Sequence, residues 1–209
     1  RRQRLAAILL THHHADHVGG VAELVARHPA PVFGPAAERI PTVDRPLSHG
    51  QRVSLAALGL ELRVVSVPGH TAGHLAYLGE GFALVGDTLF AGGCGRVFEG
   101  SPEEMHRSLS RLAALPAETK IYCAHEYTVA NLRFAREVEP ANERLAARLL
   151  EAQALRAEGR STLPSTIGDE LATNPFLRCG EAAIVAAAEA RAGRRLASTA
   201  EVFAVVRAW

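Results

Sequence analysis

Lysine is nearly absent from this sequence of 209 residues, and so are long apolar runs. Lys120 is the single lysine among 23 basic side chains, which stand against 22 acidic ones. Because alanine is also abundant, the bias towards arginine indicates the codon usage of a GC-rich genome rather than arginine chemistry. The formal net charge of +1 argues against a nucleic-acid-binding or membrane-surface protein, which would carry a basic excess. No apolar run approaches the ~18 residues that a membrane-spanning helix needs.

Cysteine is scarce as well. Cys94, Cys123 and Cys179 are too few for a disulfide framework, which is typical of a reducing compartment. The first residues do not have the order of a secretory leader, in which a charged stretch and an apolar stretch precede a small-residue cleavage site. We therefore expect a cytoplasmic protein in which Cys94 and Cys123 are small packed residues rather than nucleophiles.

The remaining composition, 48% hydrophobic and 22% charged, predicts a globular protein of one large or two small domains. Apolar periodicity and turn signals predict strands at 6–10, 31–33, 60–67, 75–78, 82–85 and 120–123. They predict helices from 21 to near Pro29, from 101 to about 112, at 129–138, 142–158 and 181–191, and from Ser198 onward. This shift from strands to helices indicates two domains, 1–126 and 127–209.

A dense histidine motif, Thr11-His12-His13-His14-Ala15-Asp16-His17, directly follows the first predicted strand. In an extended segment, side chains two apart share a face, so His12 and His14 can converge on one metal ion. Asp16 and His17 can both reach a second cation if the chain turns there. Imidazole and carboxylate groups suit zinc, iron or manganese. The alternative, a solvated polar loop, is disfavoured because this spacing seldom arises by accident.

Three further candidate ligands, His70, Asp87 and His125, stand where predicted strands end. Strand ends are the usual place for site residues in sheet-based folds. Each of the three could singly be an ordinary turn residue. Together with the first motif they form a set of five histidines and two aspartates, which predicts a centre of two metal ions.

Four motifs in this order resemble those of the metallo-β-lactamase superfamily. They are Thr-His-x-His-x-Asp-His at 11–17, Gly-His-Thr-x-Gly-His at 69–74, Gly-Asp-Thr-Leu-Phe at 86–90 and His-Glu-Tyr-Thr at 125–128. The stretches 91–100, 174–178 and 205–209 narrow the resemblance to the glyoxalase II (hydroxyacylglutathione hydrolase) family. The resemblance implies an α+β fold, a metallo-β-lactamase αβ/βα sandwich followed by an all-helical domain that helps to hold glutathione. Because members of the family begin with several strands before the histidine motif, we expect an N-terminally incomplete sandwich.

The resemblance also implies roles for the candidate ligands. The family pattern places three histidines on one divalent cation: His12, His14 and His70. It places another three residues on the second cation: Asp16, His17 and His125. Asp87 and a hydroxide would bridge the two cations, with zinc as the first expectation and iron or manganese as alternatives. The hydroxide would attack the thioester of S-D-lactoylglutathione, with Asp16 and Asp87 as the catalytic carboxylates, and release glutathione and D-lactate.

Four positions are expected to bind the substrate. Arg96 and Arg207 occupy basic positions of the family, and Tyr127 follows the His-Glu pair. An arginine fork pairs bidentately with a carboxylate, and glutathione carries two carboxylates. Phe98 stands where many members have a tyrosine, so this chain has no hydroxyl group there. We expect a monomer that acts on a small glutathione thioester and has no nucleic-acid or membrane partner.

Two other functions stay open at this point. One is a persulfide dioxygenase of the same superfamily with a single iron, although the helical tail and the Arg96 loop favour the thioesterase. The other is a metal-binding fragment without turnover, because loss of the first strands would expose an unpaired sheet edge. His13, His74 and Glu126 are either groups that orient the metal ligands or ordinary structural hydrogen-bond partners.

Overall fold

The computed structural model of the chain describes residues 4–209. Its strands are, in chain order, β1 (Ile8–Leu9), β2 (Val32–Pro35), β3 (Arg45–Leu47), β4 (Arg52–Leu55), β5 (Leu60–Ser66), β6 (Leu75–Gly79), β7 (Phe82–Gly86), β8 (Leu89–Phe90), β9 (Gly93–Cys94), β10 (Lys120–Cys123) and β11 (Ser165–Thr166). Its α-helices are α1 (Ala15–Val18), α2 (Val21–Arg27), α3 (Pro102–Ala113), α4 (Thr128–Val138), α5 (Glu143–Ala157), α6 (Ile167–Thr173), α7 (Ala182–Ala192) and α8 (Thr199–Ala208). Within residues 4–209, no helix is both long and apolar enough to cross a membrane.

Most strands belong to two sheets. The smaller sheet is parallel and has the order β1-β2-β3, and the larger sheet has the order β11-β10-β7-β6-β5-β4. Strands β5, β6 and β7 pair antiparallel in turn, whereas β10 pairs parallel to β7. Strands β5, β7 and β10 therefore run in the same direction, and their carboxyl ends lie at one edge of the larger sheet.

Buried side chains hold the two sheets and the helices in layers. Val64 and Tyr77 of the larger sheet lie in a cluster that also takes in residues of the smaller sheet. On the outer face of the smaller sheet, α2 packs through Val21. On the outer face of the larger sheet, Val65 shares a cluster with helices α3, α7 and α8, whose Phe203 is fully buried. Both faces of β5 are therefore covered near its C-terminal end, at Val64 and Val65, whereas Glu61 and Arg63 are exposed. The layers follow the order helix, sheet, sheet, helix.

Most predicted elements form close to their expected places. The capping box of α3 is present, because the Glu104 amide donates to Ser101 Oγ at 3.2 Å and the Ser101 amide donates to Glu104 Oε2 at 2.9 Å. The predicted hairpin forms from β6 and β7, with Gly81 between them at a φ of +73°. The strand predicted at 6–10 is shorter, because its ladder with β2 starts at Val32, and Pro31 has no N–H to extend it.

Several short elements lie outside the sequence predictions. They are β3, β4, β8, β9, β11, α1 and α6. The strands among them span two to four residues, which is too short for a periodic pattern. Strand β11 pairs antiparallel with Lys120 and Ile121, so residues 127–209, which are otherwise helical, add one strand to the edge of the larger sheet.

A fully buried carboxylate joins the C-terminal helices to the β8–β9 hairpin. Glu170 accepts hydrogen bonds from the Arg148 guanidinium at 2.6 Å, the Gly92 amide at 2.8 Å and the Asn174 side chain at 2.8 Å. The hydroxyl of Ser165 donates to the same carboxylate. Since both oxygens of Glu170 have donors, its charge is compensated without water, and the hairpin is fixed against the helices.

We expect Glu170→Ala to destabilise the protein by about 3–5 kcal/mol, because it leaves the largely buried Arg148 guanidinium without its ion-pair partner. Urea unfolding followed by circular dichroism measures this change. Glu158→Ala is the matched control, since Glu158 pairs with Arg160 on the exposed surface and its loss should leave the midpoint nearly unchanged. Equal midpoints for the two variants would contradict the role assigned to Glu170.

Candidate metal centre

The topology of the larger sheet brings the predicted ligands together. His70, Asp87 and His125 follow β5, β7 and β10, whose carboxyl ends share one edge. The histidine motif reaches the same edge from the smaller sheet, where the Leu75 amide donates to the Thr11 carbonyl at 2.9 Å. Helix α1 supplies the turn on which the sequence prediction for Asp16 and His17 depended, because both residues lie within it.

The first group of donors consists of His12, His14 and His70. Nδ1 of His14 lies 3.1 Å from His12 Nε2 and 3.0 Å from His70 Nε2. Two nitrogens bound to one tetrahedral zinc ion at ~2.0–2.1 Å lie roughly 3.4 Å apart, so the three rings converge at a spacing close to that of metal ligands. His12 is fully buried and His70 is nearly so. The structure thus brings together the three residues that the sequence placed on one cation.

The second group consists of Asp16, His17 and His125. Oδ2 of Asp16 lies 3.3 Å from His125 Nε2 and 3.7 Å from His17 Nε2. Asp87 stands between the two groups. Its carboxylate oxygens lie 3.2 Å from His17 Nε2, 3.5 Å from His125 Nε2 and 3.6 Å from His70 Nε2. All seven residues predicted as ligands therefore lie in one cluster, with Asp87 at its centre.

Two buried polar atoms in this cluster lack a hydrogen bond within residues 4–209. They are His17 Nε2 and Asp87 Oδ1, which lie 3.2 Å apart as an ion pair without the geometry of a hydrogen bond. A buried polar atom without a partner is costly to a fold, and it is common where a ligand or ion completes the site. Imidazole nitrogens and carboxylate oxygens in these numbers suit a divalent transition-metal ion. The residues present therefore fit a metal centre.

Burial and the charge of Asp87 together set the protonation of the cluster. Burial, reinforced by the neighbouring imidazoles, holds the pKa of His12 far below its usual range, and burial also lowers the pKa of His70. Burial lowers the pKa of His17, but the facing carboxylate of Asp87 outweighs it and raises that pKa overall. Burial raises the pKa of Asp87, but His17 and the other rings outweigh it and lower that pKa. The neutral rings of His12 and His70 and the ionised carboxylate of Asp87 are the forms that bind metal. The raised pKa of His17 favours its protonated form, so metal binding there would release a proton.

His74 packs against two of the predicted ligands, His12 and Asp87. It is fully buried, and burial lowers its pKa to about 3, so the ring is neutral. Its Nε2 accepts a hydrogen bond of 3.1 Å from the Asp87 amide, and its ring stacks on His12 at 4.7 Å between centroids. A Cβ at Gly86, where φ is +49°, would lie 2.7 Å from the His74 ring, so the close approach requires glycine.

Glu126 has a different role from His74. Its carboxylate accepts hydrogen bonds from the amide and the hydroxyl of Thr162, and it lies 3.5 Å from Arg156. These contacts tie the end of the His-Glu motif to the segment that follows α5. Of the two interpretations left open for Glu126, the structure favours the structural one.

A cavity of about 710 Å³ opens above the cluster. It is lined by metal-centre residues together with all four predicted substrate residues: His14, Asp16, His70, Asp87, His125, Arg96, Phe98, Tyr127 and Arg207. The Tyr127 ring stacks on His125 at 5.2 Å between centroids. Nε of Arg207 donates to the Gly95 carbonyl at 3.1 Å, which fixes the guanidinium at the cavity wall. Phe98 is 60% exposed at the rim of the cavity.

Sequence reasoning missed several residues of this cavity. Asn131, Phe134, Phe176 and Trp209 also line it. Asn131 donates from its side-chain nitrogen to the Ala91 carbonyl at 3.1 Å. Asn131 lies four residues after Tyr127, and its backbone amide donates a hydrogen bond to the Tyr127 carbonyl. Helical spacing from the predicted tyrosine could therefore have identified it.

The Arg96 segment contributes its backbone as well as its side chain. The Arg96 carbonyl accepts a hydrogen bond of 2.8 Å from His70 Nδ1, which orients the ring so that Nε2 faces the cluster. The side chain of Arg96 is exposed and lines the cavity. Sequence reasoning identified the side chain and gave no indication of the carbonyl contact.

Family comparisons match the two parts of the chain separately. Residues 1–125 match the metallo-beta-lactamase superfamily, and residues 126–209 match the region described as the hydroxyacylglutathione hydrolase C-terminus. The fold and its cluster of histidines and aspartates are thus those of the metallo-β-lactamase superfamily, a class of proteins that bind divalent metal ions.

A curated relative narrows this class. The hydroxyacylglutathione hydrolase of Halorhodospira halophila is 59% identical over 206 residues, which cover 99% of this chain and 80% of that protein. This chain belongs to the hydroxyacylglutathione hydrolase (glyoxalase II) family. The resemblance predicted from the sequence motifs is confirmed.

Solved structures share the fold. The crystal structure of ETHE1 from Myxococcus xanthus is 26% identical, with a TM-score of 0.64, and the match covers 97% of this chain and 68% of that one. The structure of TTHA1623 in a di-iron-bound form is 29% identical, with a TM-score of 0.56, over 82% of this chain and 77% of that one. The predicted α+β class, a metallo-β-lactamase fold followed by C-terminal helices, is confirmed.

We expect Asp87→Ala to hold at least one divalent cation fewer per chain than the unaltered protein, because Asp87 faces both donor groups. Elemental analysis after metal loading and dialysis measures the content. Glu61→Ala, an exposed acidic position on β5, serves as the control and should keep the full content. Retention of all metal by the Asp87 variant would remove this residue from the ligand set.

Proposed function

We propose that this chain hydrolyses the thioester bond of a hydroxyacylglutathione, with S-D-lactoylglutathione as the substrate and glutathione and D-lactate as the products. The observation that carries the proposal is the position of Asp87. It lies between two groups of metal donors and at the floor of a cavity whose wall comes from the C-terminal helices. Those helices lie within residues 126–209, which match the C-terminal region of hydroxyacylglutathione hydrolases.

The proposal includes two divalent cations. His12, His14 and His70 would hold one, and Asp16, His17 and His125 the other, with Asp87 shared. When bound, such a pair lowers the pKa of a water molecule towards ~7 and polarises the substrate carbonyl. Zinc is our first choice because the donors are mainly imidazoles, and iron or manganese also suits this donor set, so availability decides between them. The di-iron form of TTHA1623 supports a pair of cations in this fold.

The substrate is held by cationic and aromatic side chains of the cavity. Arg207 keeps Nε on the Gly95 carbonyl, and within residues 4–209 its guanidinium makes no ion pair. The Arg207 guanidinium can therefore bind a glutathione carboxylate through two hydrogen bonds. Arg96 offers a second cation from the loop whose Gly95 carbonyl holds Arg207. Tyr127 lies against His125 and Phe98 lies against His70, so both rings would flank the thioester beside the metal ligands.

No protein nucleophile is needed for this reaction. Burial raises the pKa of the Cys94 thiol to about 12 and that of the Cys123 thiol to about 11, so both stay protonated at neutral pH. Both are poor nucleophiles in that state. The glutathione thiol has an ordinary pKa of about 8.5, so it can leave as a thiolate without a strong general acid. Neither Cys94 nor Cys123 therefore forms an acyl-enzyme in the proposed hydrolysis.

The experiment that tests the function is turnover of S-D-lactoylglutathione by the metal-loaded protein, followed as loss of the thioester. The persulfide dioxygenase alternative predicts oxygen consumption with glutathione persulfide instead. The fragment alternative predicts bound metal and no turnover of either compound. Thioester loss without oxygen uptake supports the proposal, and either of the other two outcomes refutes it.

We expect Arg207→Ala to raise KM for the glutathione thioester roughly tenfold and to lower kcat much less, because the lost contact binds ground state and transition state alike. Steady-state kinetics of the metal-loaded variant measure both constants. Arg27→Ala, on the exposed side of α2, is the control and should keep both values. An unchanged KM in the Arg207 variant would place this residue outside the substrate site.

A further inference from the structure

A buried glutamate lies close to the metal centre without belonging to it. Glu38 follows β2, and its side chain is only 3% exposed. Its carboxylate accepts hydrogen bonds from the Thr71 hydroxyl, from the Gly73 amide at 3.2 Å and from His13 Nδ1 at 3.0 Å. It does not line the cavity and lies in none of the candidate ligand groups of residues 4–209. The proposed reaction therefore gives it no direct part.

A second carboxylate completes the same set of contacts. Oε1 of Glu99 lies 3.1 Å from His13 Nε2, and its Oε2 accepts a hydrogen bond of 2.9 Å from the Ala72 amide. Each ring nitrogen of His13 thus faces one carboxylate, and each carboxylate also binds the segment 71–73. We call Glu38, His13 and Glu99 the carboxylate bridge.

The carboxylate bridge spans the two segments that carry the first group of donors. His13 lies between His12 and His14, and segment 71–73 directly follows His70. Both segments are loops: one follows β1 of the smaller sheet, and the other follows β5 of the larger sheet. The 3.0 Å distance between His14 Nδ1 and His70 Nε2 depends on the relative position of these two segments, which the carboxylate bridge connects.

The side chain of Glu38 is tightly packed against segment 71–73. A Cβ at Gly73 would lie 2.4 Å from Glu38 Cγ, so the glutamate occupies the space that any larger residue at 73 would need. Thr71 is fully buried and uses its hydroxyl on the same carboxylate. Glycine is therefore needed at position 73, the second glycine of the Gly-His-Thr-x-Gly-His motif, because a side chain there would clash with Glu38.

We propose that Glu38 is a positioning residue for the His12–His14–His70 group, which it aligns by holding the histidine motif against segment 71–73 through the carboxylate bridge. The inference rests on the proposed two-cation centre. Groups that orient metal ligands typically change metal affinity about 10- to 100-fold when they are lost. Glu38 contacts none of the other group, Asp16, His17 and His125, so its loss acts on one cation and spares the second.

The test is cobalt(II) binding by the metal-free protein, with affinities from chelator competition and the visible absorption of each bound ion. His70→Ala and His125→Ala assign the two absorption signals to the two donor groups. Glu38→Gln keeps the side-chain volume and removes the charge. Its matched control is Glu61→Gln, at an exposed position of β5. His13→Ala is a second variant that is expected to fold, because its side chain is 35% exposed.

We expect Glu38→Gln and His13→Ala to bind cobalt at the His70-dependent site about 10- to 100-fold more weakly, with an altered absorption spectrum. The His125-dependent site should keep its affinity. Equal weakening of both sites, or affinities and spectra like those of Glu61→Gln, would overturn the positioning role. If the unaltered protein binds fewer than two cobalt ions, the proposed centre itself fails, which is a distinguishable result.

Discussion

One carboxylate surrounded by imidazoles sets the electrostatics on which the rest of this structure depends. Asp87 stays ionised because His17 and its neighbours outweigh the effect of burial, while crowding and burial keep rings such as His12 neutral. In the part of the chain that the structure describes, His17 Nε2 and Asp87 Oδ1 are buried without a hydrogen bond, which costs folding free energy, and the same atoms are preformed ligands for a divalent cation. The centre therefore gains metal affinity at the expense of the stability of the metal-free chain.

The two halves of the chain contribute different things to the site. The sheets supply the donors, because three parallel strand ends converge at one edge and the histidine motif meets them from the smaller sheet. The C-terminal helices supply the cavity wall, including Arg207, and the buried carboxylate of Glu170 fixes them to the β8–β9 hairpin. The metal donors and the helical wall of the cavity thus come from separate layers, which meet at the β8–β9 hairpin.

The sequence predicted the elements and residues whose signals are local. The capping box at Ser101 and the hairpin around Gly81 depend on neighbouring residues, and the histidine motif carries its spacing within seven positions. Strand β11 escaped prediction because two residues have no periodicity, and their pairing partner lies more than forty positions away. Glu38 escaped for a similar reason, since nothing around it in the chain marks it as a partner of His13.

The sequence by itself determined the chemical type of the centre, because imidazole and carboxylate side chains at these spacings define the donors, and it determined the family through its ordered motifs. Only the tertiary structure decided how the donors are held: His74 beneath Asp87, the Arg96 carbonyl on His70, and the carboxylate bridge between two segments. The physical reason is that a ligand set is a list of residue types, whereas its alignment depends on contacts between segments far apart in the chain.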